Sequence, residues 1–571
     1  MKQNTSVNWK VLKPDVSRAF LSDLAEKLEV SPLICSLLYQ RGITTFEDMS
    51  LFLNPGLRYL PLLESWPELL DGASLIASEA AAGKKIVVWG DYDADGVTSA
   101  ALLQDFFARK GIAARSYLPH RIREGYGLNP DGIETLAREG VRTLITVDCG
   151  ISDHQEILRA KELGMSVVVT DHHLPGRDMP PADVIINPKC GHTPCPALSG
   201  VGTAFYLAAA LNSLLPGPSV DVREFLDLVA LGTIADLVPL DGPNRILVKN
   251  GLLLLSEGRR PGIYALKEKA GFGGADHIGS EEVGYGLGPR INAAGRLDSP
   301  ETALELLLCQ DRSKAAGLAD KLNRLNEKRR KTENEILIQA REQAAQFIND
   351  PGLVLFDPEW HSGVLGIVAS RMVDEFSRPC FVLTRENGVI RGSGRSAGNF
   401  DLYLGLSSMS NLLLGFGGHS QAAGVSMHPD GIDGFRNGFS RAILDQLGPD
   451  TSAEELILDA CPGFDQLTPD FLQELELLQP FGPLNPKPVF LSPPLKVLDQ
   501  TLFGKARHVG FMLSDPVSGL RLRGQFWRQG ETWGRTGLKG RTIILAYTPG
   551  INTYRNLTSI RLNIREILRI D

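Results

Sequence analysis

The stretch IVVWGDYDADGVTSAAL, residues 86–102, sets Asp91, Asp93 and Asp95 into five residues directly behind an apolar run. Like charges this close repel, so the spacing needs a reason. Asp and Gly are ordinary turn formers, and the segment could simply end a strand. D-x-D-x-D-G also fits the opening of an EF-hand calcium loop. There, however, the twelfth position would be Leu102 instead of a bidentate Glu, and the preceding run 85–89 has strand character. The third reading is a site for hard divalent cations at the carboxyl end of a parallel strand. Two more strand-like runs end in the same way: TLITVDCG delivers Asp148, and SVVVTDHH delivers Asp171, His172 and His173. Carboxylates with imidazole suit Mn²⁺ or Mg²⁺ better than a Cys-rich set would. A pair of such ions about 3.5–4 Å apart can clamp a phosphodiester and activate a water near neutral pH. Bound cations would also relieve the repulsion among the acids. LVALGTIADLVPL adds Asp236 at the end of an apolar helix, where by itself it reads equally well as a turn residue or a poorly placed acid.

These residues converge only if the strands that carry them are neighbours. From 84 to about 240 strands and helices alternate: strands at 84–90, 114–119, 142–148, 166–171 and 183–187, and helices near 97–110, 131–139, 153–163, 201–215 and 222–236. That alternation predicts a doubly wound, mainly parallel α/β sheet. Residues 1–75 read as a mostly helical lead-in packed on this domain, which spans 76–300, and the Gly-rich part near 271–299 carries little regular signal. Residues 301–350 are polar, helical in period and free of Pro until about 350, the pattern of long linker helices. A second α/β unit covers 351–452. After the Pro-rich joint LLQPFGPLNPKPVF, short alternating strands at 494–501, 508–514, 520–527, 541–547 and 557–569 place a small OB-like β-barrel in a last domain, 453–571.

The composition, 571 residues with 43% hydrophobic content, suits a chain of several globular domains. No apolar run reaches a membrane span and the start lacks a signal-peptide core, so a cytoplasmic protein is expected. The seven cysteines are irregularly spaced and read as reduced thiols. CGHTPC, with Cys190, His192 and Cys195, shows three zinc donors and no nearby fourth, and reads as a surface loop. A net charge of −8 argues against a nucleic-acid partner only until it is divided along the chain. From 491 onward 13 Lys and Arg face 5 acids, so this tail is +8 and everything before it −16.

The succession DYDADG, strand-DCG, DHH and ADLVPL resembles the DHH phosphoesterase superfamily, defined by the triplet Asp171-His172-His173. GSGRS (392–396) and GFGGHSQAAG (415–424) resemble the DHHA1 domain that accompanies it. HRIREGYGLN (120–129), GLGPRINAAGR (286–296), the linker helices and the basic barrel narrow the resemblance to the bacterial exonucleases of that superfamily that degrade single-stranded DNA. The resemblance implies hydrolysis from the 5′ end with release of mononucleotides, two Mn²⁺ or Mg²⁺ ions, and a role in recombination and repair. It also implies a monomer that works beside single-strand binding protein and a RecQ-type helicase. The alternative is a DHH/DHHA1 phosphodiesterase of short oligoribonucleotides or cyclic dinucleotides, enzymes that usually lack the basic barrel.

By the same resemblance Asp93, Asp95, Asp148, His172 and Asp236 hold the metals, with Asp148 bridging both ions. His173 faces the scissile phosphate, and Asp91 and Asp171 orient the ligands through hydrogen bonds. Several relatives carry a His where this chain has Trp89, which implies a poorer shell around one metal. Ser393, Arg395, Gly417, Gly418 and His419 are assigned to the nucleotide's phosphate, with Arg121, Arg290 and Arg296 as further candidates. Mechanically, Gly lets backbone approach a phosphate and an Arg fork suits a terminal dianion, although any Gly-rich stretch can also be a plain tight turn. Tyr126, Phe205 and Tyr285 could stack on bases, although aromatics beside Gly more often pack. In the tail, Phe503, Phe526 and Trp527 interleave with Lys505, Arg507, Arg523 and Arg528, the combination by which OB-folds bind single strands.

Overall fold

The computed structural model describes residues 8–121, 123–191, 193–275, 277–448, 455–554 and 557–571. The chain forms two compact units: Met1–Leu60 with Pro239–Asn250 and Glu454–Asp571, and Pro61–Val238 with Gly251–Ala453.

The larger unit is built on a five-stranded parallel sheet. In spatial order its strands are Ala114–Tyr117, Lys85–Gly90, Val141–Val147, Ser166–Thr170 and Val184–Ile186. The central runs IVVW, LITV and VVV are buried and, but for Thr146, apolar because helices cover both faces. Val87, Trp89, Leu144, Val167 and Val169 alternate onto one face and pack under the helices Pro130–Arg138 and His154–Glu162. The helices Ala94–Arg109 and Gly200–Leu214 pack on each other. The chain leaves the Lys85–Gly90 strand in one direction along the sheet and returns on its other side to form Val141–Val147, so the topological switch lies between these two. Ligand sites of open α/β sheets form at such a point, outside the carboxyl ends.

The helices that follow match the sequence pattern, with Glu301–Leu308 and a 33-residue helix Arg312–Ala344 inside the expected linker. Residues 280–297, which carry little regular signal, are helical: Ser280–Glu282, a π-turn Val283–Leu287 and the helix Gly288–Leu297. Glycines in a helix interior cost about 1 kcal/mol each, and here tertiary packing overrides that propensity. The second sheet of this unit orders Gly415–Gly418, Ala422–Met427, Val389–Arg395, Cys380–Glu386 and Leu353–Phe356, of which only the last two run parallel.

The smaller unit corrects the expectation that residues 1–75 pack on the parallel sheet's domain. Residues 9–11 pair in parallel with 456–458, and Leu21, Leu24, Ile34, Leu38 and Met49 share one core with Phe464, Phe471, Phe490, Val509 and Leu545. The helices Arg18–Leu28 and Pro32–Gln40 each carry one apolar stripe, and the C-terminal part of the chain is what covers it. Only from Pro61 does the chain join the larger unit. Strands Leu495–Phe503, His508–Ser514, Arg521–Phe526, Thr542–Tyr554 and Leu557–Ile570 close into a barrel through the pairing of the last two with each other and of the last with Arg521–Phe526. Closure leaves these strands without a free edge. Arg245 is buried in this unit, donating to the carbonyls of Phe52, Leu477, Leu478 and Gln479.

Candidate metal centre and phosphate pocket

Strand register lines up the chemistry. Gly90 pairs with Val147 and Val147 with Thr170, so the next residues, Asp91, Asp148 and Asp171, form a row along the carboxyl rim. Asp148 then turns through a left-handed backbone, φ 60°, a conformation that a short polar side chain tolerates better than a branched one. Ligand atoms gather in three sets, each within 4.8 Å: Asp91, Asp93 and Asp148; Asp95, His172 and Asp236; Asp148, His172 and His173. His172 Nε2 lies 3.0 Å from Asp148 Oδ1, 3.5 Å from Asp236 Oδ2 and 3.7 Å from Asp95 Oδ2. Asp148 belongs to the first and third sets and lies closest to His172 of the second.

Helix ends hold the other acids. Asp93 caps the helix Ala94–Arg109, accepting from the amides of Asp95 (2.9 Å) and Gly96 (3.2 Å). Asp95 accepts from Gly200 N (2.7 Å) and Val201 N (2.8 Å) at the positive end of another helix. A Cβ on Gly200 would stand 2.8 Å from Asp148 Cβ and 3.0 Å from Asp95 Oδ2, so only glycine lets that helix end approach both acids. Asp236 sits at the negative end of the helix Leu226–Ala235, a position that repels a carboxylate unless a cation compensates. Asn292 accepts the Ala94 amide at 2.7 Å and ties the Gly288–Leu297 helix to this loop.

Burial, followed by neighbouring aspartates, raises Asp91, Asp148 and Asp236 well above the usual carboxylate range. The same causes push Asp95 to about 7. Burial, followed by the charge of His173, pushes His172 down to about 3 and leaves it a neutral donor of electrons. Asp171 behaves oppositely. Although burial opposes it, the hydrogen bond and charge of His173 hold Asp171 below the usual range. Its carboxylate accepts from the amides of Ile151, His172 and His173 and from His173 Nδ1 at 2.8 Å, which makes it an anchor for the triplet. Asp91 was assigned an orienting role by resemblance, yet its Oδ1 is buried without a hydrogen-bond partner and reaches the ligand set of Asp93 and Asp148. Trp89 does not approach as a ligand: its ring is fully buried, stacked 4.1 Å from Tyr117, and its Nε1 donates to Gly127 O.

A group of cations belongs to the same unit. Arg121 lies 4.9 Å over the Tyr92 ring. Arg296, half-buried, donates to Gly363 O at 3.0 Å. Burial, then the charges of Arg121 and Arg329, lower Arg296 to about 9. Arg395 donates to Ser393 Oγ (3.1 Å) and is likewise lowered by burial and then by Arg121. Cations that are buried and lie near a further cation favour a bound anion. The strand pairing of Arg395 with Ala422 brings His419, bonded to Ala422 O, beside it. His419 is lowered by burial and then by Arg395, His173 and Lys189. Gly417 has open space where a Cβ would stand, whereas Gly418 turns at φ 135°. Arg290 departs from the expectation: its nitrogens are engaged with Asn323 and with the carbonyls of Gly286 and Lys269, leaving it a structural residue. Arg329, by comparison, donates to Glu333 and Asn326 on its own helix. Phe205 is core, Tyr285 is 86% exposed, and His192 lies outside the described residues, with Cys195 buried as a free thiol.

In the smaller unit Phe503, His508 and Trp527 form a ring cluster with centroids 4.7–5.4 Å apart. Trp527 is half exposed, and exposed Lys505, Arg507, Arg523 and Arg528 surround the sequence positions of the cluster. Phe526 is buried in the barrel core.

Comparison with known proteins follows the same division. Residues 85–233 match the DHH family, N-terminal domain, residues 349–444 the DHHA1 domain, and residues 458–566 the RecJ OB domain. The single-stranded-DNA-specific exonuclease RecJ of Escherichia coli is 36% identical over 94% of this chain and 96% of its own. The chain belongs to the RecJ family. RecJ of Bacillus subtilis is 34% identical over 98% of this chain and 71% of its own. A crystal structure of Thermus thermophilus RecJ in complex with Mn²⁺ superposes with a TM-score of 0.83 at 33% identity, covering 99% of this chain and 80% of that one. A Mg²⁺ complex from the same organism is also similar, at a TM-score of 0.76. The donors of this RecJ-family chain fit such ions. They are oxygens and imidazole with no thiolate among them, and His172 Nδ1 and Asp91 Oδ1 are buried without partners.

Proposed function

We propose that this RecJ-family chain hydrolyses single-stranded DNA from its 5′ end, releasing mononucleotides, in cytoplasmic DNA recombination and repair. The observation that carries the proposal is the coexistence, in one compact unit, of a rim of acids and imidazoles whose ligand atoms gather within 4.8 Å and of two arginines, Arg296 and Arg395, each lowered by burial and then by Arg121. Asp93, Asp95, Asp148, His172 and Asp236 would hold two divalent ions, with Asp91 within reach. When bound, such ions supply Lewis acidity and an activated water for in-line displacement at phosphorus.

The chain's own residues do the rest. Arg121, Arg296 and Arg395, with Ser393 and His419, would bind the terminal 5′ phosphate, the Arg forks matching a dianion. Anchoring that phosphate fixes how far the strand reaches and presents the first internucleotide phosphate to the acidic rim. His173, raised by the Asp171 hydrogen bond and charge although burial opposes it, can donate to a phosphate oxygen. Water adds to phosphorus, the bond from phosphorus to O3′ of the released nucleotide breaks, and that oxygen takes a proton. The remaining strand begins with a phosphate again, which the same pocket can read. In the smaller unit the Trp527 cluster and its cations would hold the downstream strand by stacking and phosphate contacts.

End-labelled DNA strands of about 5 and 40 nucleotides, a duplex and RNA, each incubated with the full chain and Mn²⁺, test the reading. Stepwise loss from the 5′ end of single-stranded DNA is expected. Cleavage of RNA 5-mers alone would point to a short-oligonucleotide phosphodiesterase, and binding without cleavage to a non-catalytic DNA-binding protein.

A further inference from the structure

Tyr126 was read from sequence as a base-stacking candidate, but its hydroxyl is committed to the catalytic rim. It lies 3.2 Å from Asp148 O and 3.2 Å from His173 Nδ1, with its ring edge-on to the imidazole at a centroid distance of 5.8 Å. We propose that Tyr126 is a positioning residue, which holds the His173 ring in its working orientation. The inference rests on the role assigned to His173 in the preceding proposal.

The bonding pattern is decided by what each atom can donate. Asp148 O only accepts, so the Tyr126 O–H donates to it. Asp171 Oδ1, 2.8 Å away, takes the proton on His173 Nδ1 and so fixes the tautomer, leaving Nε2 for substrate. The tyrosine oxygen, 3.2 Å from the same Nδ1, accepts as a second partner and resists rotation of the ring about its bond to the backbone. His173 needs such a brace because it is the most exposed member of the cluster, with a side chain 44% accessible.

The loop carrying Tyr126 is itself clamped. Gly125 (φ 88°) and Gly127 (φ 78°) flank the tyrosine in a conformation that other residues adopt with strain. Leu128 N donates to Asp153 Oδ2 at 2.9 Å and Trp89 Nε1 to Gly127 O at 3.2 Å. Glu124 ties the start of the loop to Tyr117 OH, at 2.5 Å, and to His120 N, at 2.7 Å. Trp89 therefore reaches the loop of Tyr126 through Gly127. A phenol used for stacking would not need its hydroxyl fixed at two points.

The distinction is testable with the full-length chain, Mn²⁺ and a 5′-phosphorylated single strand of DNA. Tyr126→Phe keeps the ring and removes only the hydroxyl. It is expected to lower kcat roughly tenfold, the size of one neutral hydrogen bond, with KM and the thermal midpoint unchanged. In a His173→Asn background the same substitution is expected to have no further effect, since the group through which it acts is gone. Full kcat in Tyr126→Phe with His173→Asn impaired overturns the positioning role and leaves the nuclease assignment standing. So does a rise in KM at constant kcat, which would make the hydroxyl a substrate contact, or additive effects in the double variant. A fully active His173→Asn enzyme removes both the inference and the His173 role beneath it.

Discussion

At the scale of single residues, Asp148 is the pivot of the site: it belongs to two ligand sets, lies 3.0 Å from His172 Nε2, and takes a left-handed backbone. Non-glycine residues in that region cost of order 1–3 kcal/mol and persist where surrounding structure over-determines them. Asp148→Ala is therefore expected to reduce turnover by about 10³-fold or more, while affinity for single-stranded DNA changes little. Single-turnover kinetics beside a binding titration checks this, and retained activity removes Asp148 from the centre. Arg395 answers to a different partner. Its guanidinium is partly buried beside Ser393 and depressed by burial and by Arg121. Arg395→Gln should raise KM for strands ending in a 5′ phosphate by roughly tenfold to a hundredfold and leave strands ending in a 5′ hydroxyl unaffected. Equal effects on both ends would exclude a terminal-phosphate role.

At the scale of elements, strands place the ligands and helix ends tune them. The pairing of Gly90 with Val147 and of Val147 with Thr170 is what makes three distant aspartates a row. A slip of one residue would turn every side chain of the slipped strand to the opposite face. The Gly200–Leu214 helix donates two amides to Asp95 and approaches Asp148 closely enough that a methyl group would collide. Gly200→Ala should weaken Mn²⁺ binding by about tenfold to a hundredfold, read by calorimetry with Mn²⁺ alone, with the fold retained by circular dichroism. Unchanged Mn²⁺ affinity would show that this approach does not matter. The parallel strands, the barrel strands and the long helix were legible because each has one period and one kind of environment. The 280–297 helices were not, because their glycines hide the periodic signal and Asn292 acts through a backbone amide of another segment.

At the scale of the whole molecule, the smaller unit is assembled from both ends of the chain. Leu38 is fully buried in the same core as Phe490 and Leu545. Leu38→Ala is expected to destabilise that unit by about 2–5 kcal/mol, lowering the barrel's melting transition although the substitution lies near the N-terminus. A barrel transition that does not move would separate the two segments. For the same reason removal of residues after 455 would uncover the apolar faces of the first helices, so the role of the barrel in binding is better tested at its surface. Replacing Lys505, Arg507 and Arg528 together with Gln should flatten the salt dependence of single-strand affinity, reducing its log–log slope by about 2. An unchanged slope would free these cations from phosphate contact.

Residue types and their spacing determined, before any fold, that hard-cation chemistry would gather at Asp93, Asp95, Asp148 and the Asp171–His173 triplet, because ligand chemistry is a property of side chains and strand ends are marked by local pattern. Local pattern also marked the parallel strands, the barrel strands and the long helix. Tertiary structure alone decided that Asp91 reaches the ligand set, that Arg290 is spent on its own neighbours, and that the Tyr126 hydroxyl meets a histidine. It also decided that the first helices share a core with the last strands. Each of these depends on which surfaces meet after the chain has crossed over itself, and neither a period nor a motif records that.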